Sequence, residues 1–483
     1  MTGQKKAGLE LMQEMYSGIS TQLKRIWNNH PWPIIRIHVL YLFHVSVNEK
    51  EKKDTGISLQ YKHYGFSFKD TLRLVYRAAL LPFLSLKYKN RLNKKVLLTG
   101  FWEHVGSHGN IYVHPCQFEL NGLVIGNEIC WVSMSGKPVD DNPLNTLYGH
   151  LYYFEKIWFK CKNFFNSGQN RMAFQNAKTV RDWLAKRNIA DANRAGRLIY
   201  ENQIEQEVQY NTFLRLLKIT KPRHIWTYCY YDNKIMALIR AANTLDIGIT
   251  EYQHSAQYDD HFAYAPWPDI DQYRNNFPST FWLWRNSDAN RIEQNFTGQS
   301  FKPGIIRGGN IFLAQQKKVD SSSIHNEKIN VLVTLQGMWI PGFLEKFISN
   351  SNSYKWYFRL HPRYPQDKEK LQEFKHQYPE KIEMEEANTL SLYDLFQKVQ
   401  FNITSYSGTA LEAQAFGIRN IIYGQEGFLA FRHYIGNGVF DYVEREEDMK
   451  NAFTKSFERG NADFDSILTD RESIRHQLNL LVS

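Results

Sequence analysis

Residues 328–362, KINVLVTLQGMWIPGFLEKFISNSNSYKWYFRLHP, contain two apolar runs separated by a helical pattern. The apolar run KINVLVTLQG (328–337) predicts a buried strand that ends in glycine, and YKWYFRLHP (354–362) predicts a second strand. The intervening IPGFLEKFISN has helical spacing. Strands that alternate with helices of about ten or more residues favour a parallel, doubly wound sheet.

The same alternation continues on both sides of this stretch. Downstream, QFNITSYS and IRNIIYG predict strands and GTALEAQAFG predicts the helix between them. Upstream, strands are predicted in KKVLLTGF, PRHIWTYCYY, GITEYQHS, FPSTFWLWR and KPGIIRGGN, while 140–215 is helical in character. The polar segment QQKKVDSSSIHNEK (315–328) has almost no apolar content and predicts a linker.

The chain therefore predicts an α/β protein with two doubly wound, Rossmann-like domains, a cleft between their facing carboxyl edges, and a helical N-terminal extension. The predicted boundaries are 1–93 for a basic, aromatic extension, 94–316 for the first domain with a helical insertion, 317–328 for the linker and 329–483 for the second domain. Ligands of open α/β sheets bind outside the carboxyl ends of the strands.

Composition excludes disordered and fibrous classes, because 43% of the 483 residues are hydrophobic and 22% are charged. Aromatic residues reach 15%, and the net charge of +10 favours anionic partners. The four cysteines form no Cys-x-x-Cys pair, which argues against a disulfide framework or structural zinc and favours a reducing cytoplasm. No signal peptide and no apolar run of about 18 residues are found, so no membrane span is predicted.

The segment 68–95 combines apolar residues near helical spacing with many cations. It predicts either a helix at the inner face of an anionic membrane or one that packs on the protein.

The second domain carries the candidate donor site. His361 and Pro362 end a predicted strand, so the imidazole faces the cleft either as a phosphate donor or as a strand-end cap. A Ser/Thr-rich turn between a strand and a helix predicts a phosphate site, with an ordinary N-cap as the alternative. Its residues are Ser405, Ser407, Gly408 and Thr409.

Three further positions extend this site. Glu412 either accepts hydrogen bonds from ribose hydroxyls or is a solvated helix residue. Gln336 and Gly337 offer backbone amides after the first strand of the domain, and GQEGF (424–428) is predicted to line the sugar or base pocket.

Candidates for a catalytic base lie at strand ends of the first domain. His254 is favoured because it ends a predicted strand and precedes the small Ser255, with a buried structural histidine as the alternative. The remaining candidates are Glu103, His104, His108, Asp232, Glu251, Asp259 and Asp260. DIDQY (269–273) has Asp-x-Asp spacing but follows APWP in a predicted loop, so no metal site and no Mg²⁺ requirement are predicted.

These motifs resemble those of known transferases. His361-Pro362 followed by Ser405, Ser407 and Thr409 is similar to the nucleotide-binding motifs of bacterial sialyltransferases, polysialyltransferases and CDP-glycerol glycerophosphotransferases. TEYQHSAQYDDHFAYAPWP (250–268) resembles the Gln-His-Gly segment with a downstream His-x-x-Tyr of bacterial surface-polysaccharide glycosyltransferases of the GT-B fold, with Ser255 in place of the glycine. The resemblance covers about residues 95–460.

The resemblance implies transfer of a sugar from a nucleotide donor, with CMP-sugars slightly favoured, to a polysaccharide, lipopolysaccharide, capsule or lipid-linked glycan acceptor. It also leaves CDP-polyol phosphotransfer and nucleotide-sugar epimerisation open. A nucleic-acid-binding protein is the alternative from another class. The distribution of cations argues against it, because they are dispersed along the sequence rather than arranged in a stripe. An inverting displacement is predicted because no carboxylate is clearly placed as a nucleophile.

Overall fold

Two six-stranded parallel sheets form the body of the protein in this computed structural model. The structure describes residues 33, 35–36, 59–88, 95–100, 129–133, 143–186, 192–255, 257, 261, 263–264, 270–315, 328–337, 339–361, 367–454, 467–468 and 470–482. The prediction of two doubly wound, Rossmann-like α/β domains is confirmed. The domain boundaries given above stay predictions.

The first sheet has the strand order β2-β1-β3-β4-β5-β6. Its strands are β1 Val96–Gly100, β2 Ile129–Ser133, β3 His224–Thr227, β4 Gly248–Tyr252, β5 Thr280–Leu283 and β6 Gly304–Arg307. The helices around it are α1 Phe68–Lys87, α2 Pro143–Phe165, α3 Gly168–Ala185, α4 Ala192–Thr220, α5 Asn233–Thr244, α6 Asn286–Asn295 and α7 Ile311–Gln315.

The second sheet has the order β12-β11-β10-β7-β8-β9. Its strands are β7 Ile329–Thr334, β8 Tyr354–Arg359, β9 Ile382–Glu383, β10 Phe401–Thr404, β11 Arg419–Tyr423 and β12 Asp441–Val443. Its helices are α8 Gly342–Asn350, α9 Asp367–Gln377, α10 Glu385–Thr389, α11 Leu392–Phe396, α12 Thr409–Ala415, α13 Gly424–Gly436, α14 Glu446–Thr454 and α15 Arg471–Val482.

Alternation of side chains along the strands divides the core. Leu97 faces a cluster with α2 to α5, whereas its neighbours Val96 and Leu98 face the opposite side of the sheet. On that side one cluster includes Trp282 of the first sheet and Ile422 of the second. The two domains therefore share apolar packing.

The chain returns to the first domain near its C-terminal end. The Asn310 N–H donates to the Leu468 carbonyl (3.0 Å), and the Leu468 N–H donates to the Trp284 carbonyl (2.9 Å). Gly309 permits this approach, since a Cβ there would lie 2.2 Å from the Leu468 carbonyl oxygen.

Several local predictions differ from the structure. The strands predicted at 222–231 and 248–255 end at Thr227 and Tyr252. Strands β2 and β12 were not predicted. DIDQY was predicted as loop, but Ile270–Asn276 is a 3-10 helix, in which Asp271 accepts the Ser300 and Phe301 N–H groups.

Replacing Gly308 by alanine should destabilise the first domain. Its Cβ would lie 1.9 Å from a ring carbon of the buried Trp282, and overpacking of this kind costs about 1 to 3 kcal/mol. Gly342→Ala is the matched control, because no atom lies within 4 Å of its added Cβ. Urea unfolding should give a lower midpoint for Gly308→Ala alone; equal midpoints would contradict this packing.

Candidate functional site

The carboxyl edge of the second sheet has a topological switch point between β7 and β10. These strands are neighbours, yet the chain proceeds from β7 outward to β8 and β9 before it returns to β10. The turns after β7 and β10 therefore diverge and leave a crevice at this edge. Both turns carry residues that the sequence assigned to donor binding.

The turn after β10 gathers hydroxyl groups. The hydroxyl oxygens of Thr334, at the end of β7, and Thr409, at the start of α12, lie 3.2 Å apart, and the Thr409 N–H donates to Ser407 Oγ (3.3 Å). Ser405 and Ser407 are buried. Gly408 directly precedes α12, which is seven residues long. The hydroxyls, rather than the dipole of so short a helix, are thus the main polar feature here.

The turn after β7 is held by a carboxylate. Gly337 has a φ of +78°, in the left-handed region that favours glycine, and Gln336 is half-buried beside it. A hydrogen bond to the Gly337 backbone lowers the pKa of Asp367, but burial has the larger effect and raises it. Asp367 Oδ2 is buried and has no hydrogen-bond partner among the described residues. Asp367 therefore helps to fix this turn.

His361 lies two residues beyond the end of β8. The strand was predicted to run to Pro362, but it ends at Arg359. The Arg359 guanidinium donates to the carbonyls of Ala387 and Leu390, which ties this end of the strand to α10. His361 is half-buried, while Pro362 lies outside the described residues.

A cavity of about 600 Å³ adjoins the Ser/Thr turn. GQEGF (424–428) contributes Gly424, Gln425, Glu426 and Phe428 to its wall, and Ser405 lines it too. A Cβ on Gly427 would lie 2.2 Å from the Ser405 carbonyl oxygen, so glycine is required for α13 to approach the turn. The remaining wall is largely aromatic, from Trp339, Phe343, Tyr423 and Tyr442.

Glu412 lies at the junction of the domains. It accepts a hydrogen bond from the Tyr393 hydroxyl (2.8 Å) and one from Asn310 Nδ2 of the first domain (3.5 Å). Burial raises its pKa to about 7. Glu412 is therefore not a solvated helix residue, and its role in ribose binding stays a prediction.

The first sheet brings a different set of groups to its carboxyl edge. His254 is half-buried just after β4. Its Nε2 lies 3.2 Å from Cys229 Sγ, and 3.4 Å from both the Tyr231 hydroxyl and Ser255 Oγ. Nε2 has one lone pair or one N–H, so it makes one hydrogen bond at a time with these three neighbours, and their close approach limits rotation of the ring.

Cys229 reaches His254 from a strained turn. It follows β3, which lies at the switch point between β1 and β3 in this sheet. Its φ of 47° is in the left-handed region, which costs a non-glycine residue about 1 to 3 kcal/mol and is often found at functional sites.

Glu251 is buried in β4, three residues before His254. It accepts hydrogen bonds from the Tyr264 hydroxyl (2.6 Å) and the Tyr230 N–H (3.2 Å). Burial raises the pKa of Glu251 to about 8 despite both bonds. Its Oε2 is buried and has no hydrogen-bond partner in the part of the chain that the structure describes. Glu251 thus braces the turn after β3, which carries Cys229.

The other predicted bases are placed less favourably or are not described. Asp232 is the N-cap of α5, and its carboxylate accepts hydrogen bonds from the Lys234 and Ile235 N–H groups. Its role is thus explained by helix capping. Glu103, His104, His108, Asp259 and Asp260 lie outside the described residues. Within the described ranges, no group of three or more His, Cys, Asp or Glu residues could hold a metal ion.

Sequence reasoning missed four residues of these two edges. They are Cys229, Tyr231, Asn310 and Asp367. Cys229 and Tyr231 directly follow a strand, which was the available signal. The contacts of Asn310 and Asp367 depend on tertiary packing.

No family model matches the sequence, and no curated protein matches it. Solved structures with a similar fold include the Staphylococcus aureus MnaA–UDP co-structure (12% identity, TM-score 0.46, covering 80% of this chain and 95% of that chain). A second is UDP-GlcNAc 2-epimerase from Neisseria meningitidis bound to UDP-GlcNAc (12% identity, TM-score 0.47, covering 80% of this chain and 99% of that chain). A third is trehalose 6-phosphate synthase from Burkholderia multivorans (12% identity, TM-score 0.44, covering 80% of this chain and 96% of that chain). Likenesses at this level do not extend to activity or substrate.

Proposed function

We propose that the protein is a glycosyltransferase that moves a sugar from a nucleotide-activated donor to a glycan or lipid-linked glycan acceptor. One observation carries the proposal. Each sheet gathers polar groups at the switch point of its carboxyl edge: hydroxyls around Thr409 in the second sheet, and the Cys229–His254 pair in the first. These are the places where open α/β sheets bind ligands.

The second domain is proposed to bind the donor. Ser405, Ser407 and Thr409 would donate to the phosphate oxygens, with His361 and the Gly337 turn beside them. Donors already in position stabilise the negative charge that develops on a leaving phosphate. The cavity next to Ser405 has the size of a small-ligand site. Its aromatic walls suit a nucleoside or sugar ring.

The first domain is proposed to activate the acceptor. His254 accepts the proton of the acceptor hydroxyl as the acceptor oxygen forms a bond to the anomeric carbon. The bond between that carbon and the donor phosphate oxygen breaks, and its electron pair leaves with the nucleotide. Such a single displacement inverts the anomeric centre, and in this proposal the hydroxyl groups take the place of a metal ion at the leaving phosphate.

The donor nucleotide and the products remain part of the proposal. CMP-sugars are favoured because His361-Pro362 and the Ser/Thr turn resemble families that use cytidine nucleotides. A polyol-phosphate transferase would add phosphorus to the acceptor, which mass analysis of the product detects. An epimerase would convert the donor without any acceptor.

A thermal-shift panel tests the donor site. CMP, CDP, UDP, GDP and dTDP are each added with and without Mg²⁺, since a ligand that binds the native state raises its midpoint. We expect one nucleotide to raise the midpoint, without need of Mg²⁺, and His361→Ala to lose most of this shift. His376→Ala, an exposed histidine of the same domain, should keep it. No shift with any nucleotide, or an unchanged shift in folded His361→Ala, would contradict the donor site.

A further inference from the structure

Helix α1 presents an apolar stripe to solvent. Its residues recur at i, i+4, i+7, i+15 and i+18, which places them on one helical face, and each is between 55% and 77% exposed. This α1 stripe consists of Phe68, Leu72, Val75, Phe83 and Leu86. A surface helix of a soluble domain normally turns such a face inward. None of the elements that the structure describes covers the α1 stripe.

The opposite face of α1 is anchored to the protein. Asp70 forms an ion pair with Lys160 of α2 (3.5 Å), and a capping box with Ser67 begins the helix. The Arg77 guanidinium lies 3.1 Å from His150 Nδ1 of α2. These contacts fix the orientation of α1, so its apolar stripe faces outward as a property of the fold.

Cations border the α1 stripe. Lys69, Arg73 and Lys87 are exposed on the helix itself. The only carboxylates in the sequences of α1 and α2 are Asp70 and Glu155, and both are buried. The surface of these two helices is therefore apolar and positively charged, without an exposed carboxylate to offset it.

The end of α2 adds to this surface. The Asp70–Lys160 ion pair places the start of α1 beside the last turns of α2. Phe164 and Phe165 end α2 with exposed fractions of 54% and 78%, and Lys162 is exposed next to them. Aromatic rings next to cations are typical of segments that lie at a membrane interface.

We propose that the face formed by the α1 stripe and its bordering cations docks on an anionic lipid surface, with α1 parallel to the membrane plane. The stripe would enter the boundary between headgroups and acyl chains, and Lys69, Arg73 and Lys87 would contact lipid phosphates. A second copy of the chain fits less well, because pairing the same face would bring like charges together. None of the helices that the structure describes is both long and apolar enough to cross a bilayer.

Vesicle co-sedimentation of the full chain tests the apolar part. We expect binding to equimolar phosphatidylcholine–phosphatidylglycerol vesicles and recovery in the supernatant with phosphatidylcholine alone. Leu72→Ser/Phe83→Ser should bind at least about tenfold more weakly. Leu480→Ser removes an equally exposed leucine of α15 and should bind as the wild type does. Equal binding by the double variant, or no binding by the wild type, would overturn the proposal.

Charge reversal tests the cations. Lys69→Glu/Arg73→Glu should lose most binding to the anionic vesicles, and added salt should weaken the wild type in the same direction. Lys368→Glu, an exposed lysine of α9, is the control and should retain binding. Sedimentation-velocity analysis of the wild type without lipid should show a monomer; a dimer that Leu72→Ser/Phe83→Ser dissociates would assign the face to self-association instead. Nucleotide thermal shifts should be unchanged in every variant, so failure here is distinct from failure of the donor site.

Discussion

His254→Ala should lower sugar transfer by about a hundredfold to ten-thousandfold, the usual contribution of a positioned general base. The variant loses the group proposed to take the acceptor proton but leaves the proposed donor site in the other domain intact. Initial rates of transfer should fall, while the nucleotide thermal shift stays the same. This separation of turnover from donor binding is what distinguishes a base from a residue that only supports the fold.

His476→Ala is the matched control for this experiment. His476 is an exposed histidine of α15 and makes no part of either sheet edge. Its variant should transfer sugar at the wild-type rate. A folded His254→Ala protein with full activity would exclude His254 as the base, and Cys229 or a residue outside the described ranges would then have to be considered.

Glu251→Gln should make the protein less sensitive to rising pH. The pKa of Glu251 rises from its usual 4.5 to about 8 in the folded protein, so the folded state keeps a proton that the unfolded chain releases. From about pH 4.5 to pH 8 the wild type therefore loses about 1.4 kcal/mol of unfolding free energy per pH unit. Glutamine has no proton to release, so its variant should gain on the wild type by about 4 to 5 kcal/mol over this window.

Urea unfolding of both proteins at a series of pH values measures this difference. Below pH 4.5 the two should differ by a constant amount, because Glu251 is then protonated in both the folded and unfolded states. Glu369→Gln, at an exposed position of α9, should run parallel to the wild type at every pH. A difference between Glu251→Gln and the wild type that does not change with pH would mean that Glu251 is ionised in the folded protein.

The polar residues at the carboxyl edge of the second sheet were largely predictable, because they are close together in sequence. Ser405, Ser407 and Thr409 all lie where an apolar strand gives way to a helix, and local patterns locate such junctions. The same holds for Gly424–Phe428, which opens the next helix. Strand length was less predictable: apolar Leu360 extends the pattern of β8, yet the bonds of Arg359 to α10 end the strand before it.

The site at the carboxyl edge of the first sheet was predictable only in part, because its contacts join residues from different strands. His254 was identified as a strand-end residue, but its contact with Cys229 requires β3 and β4 to be neighbours, with Thr227 opposite Glu251. The bond between Asn310 and Glu412 depends on how the domains pack. The three-residue β12, Asp441–Val443, is too short to give a periodic pattern.

The return of the chain to the first domain gives the two domains a second link. Residues up to Gln315 belong to the first domain, the second sheet begins at Ile329, and the chain meets the first domain again at Leu468. The bond between Asn310 and Leu468 places this return close to the last helix of the first domain. The alignment of the two sheets therefore rests on chain connectivity as well as on the apolar cluster that both domains share.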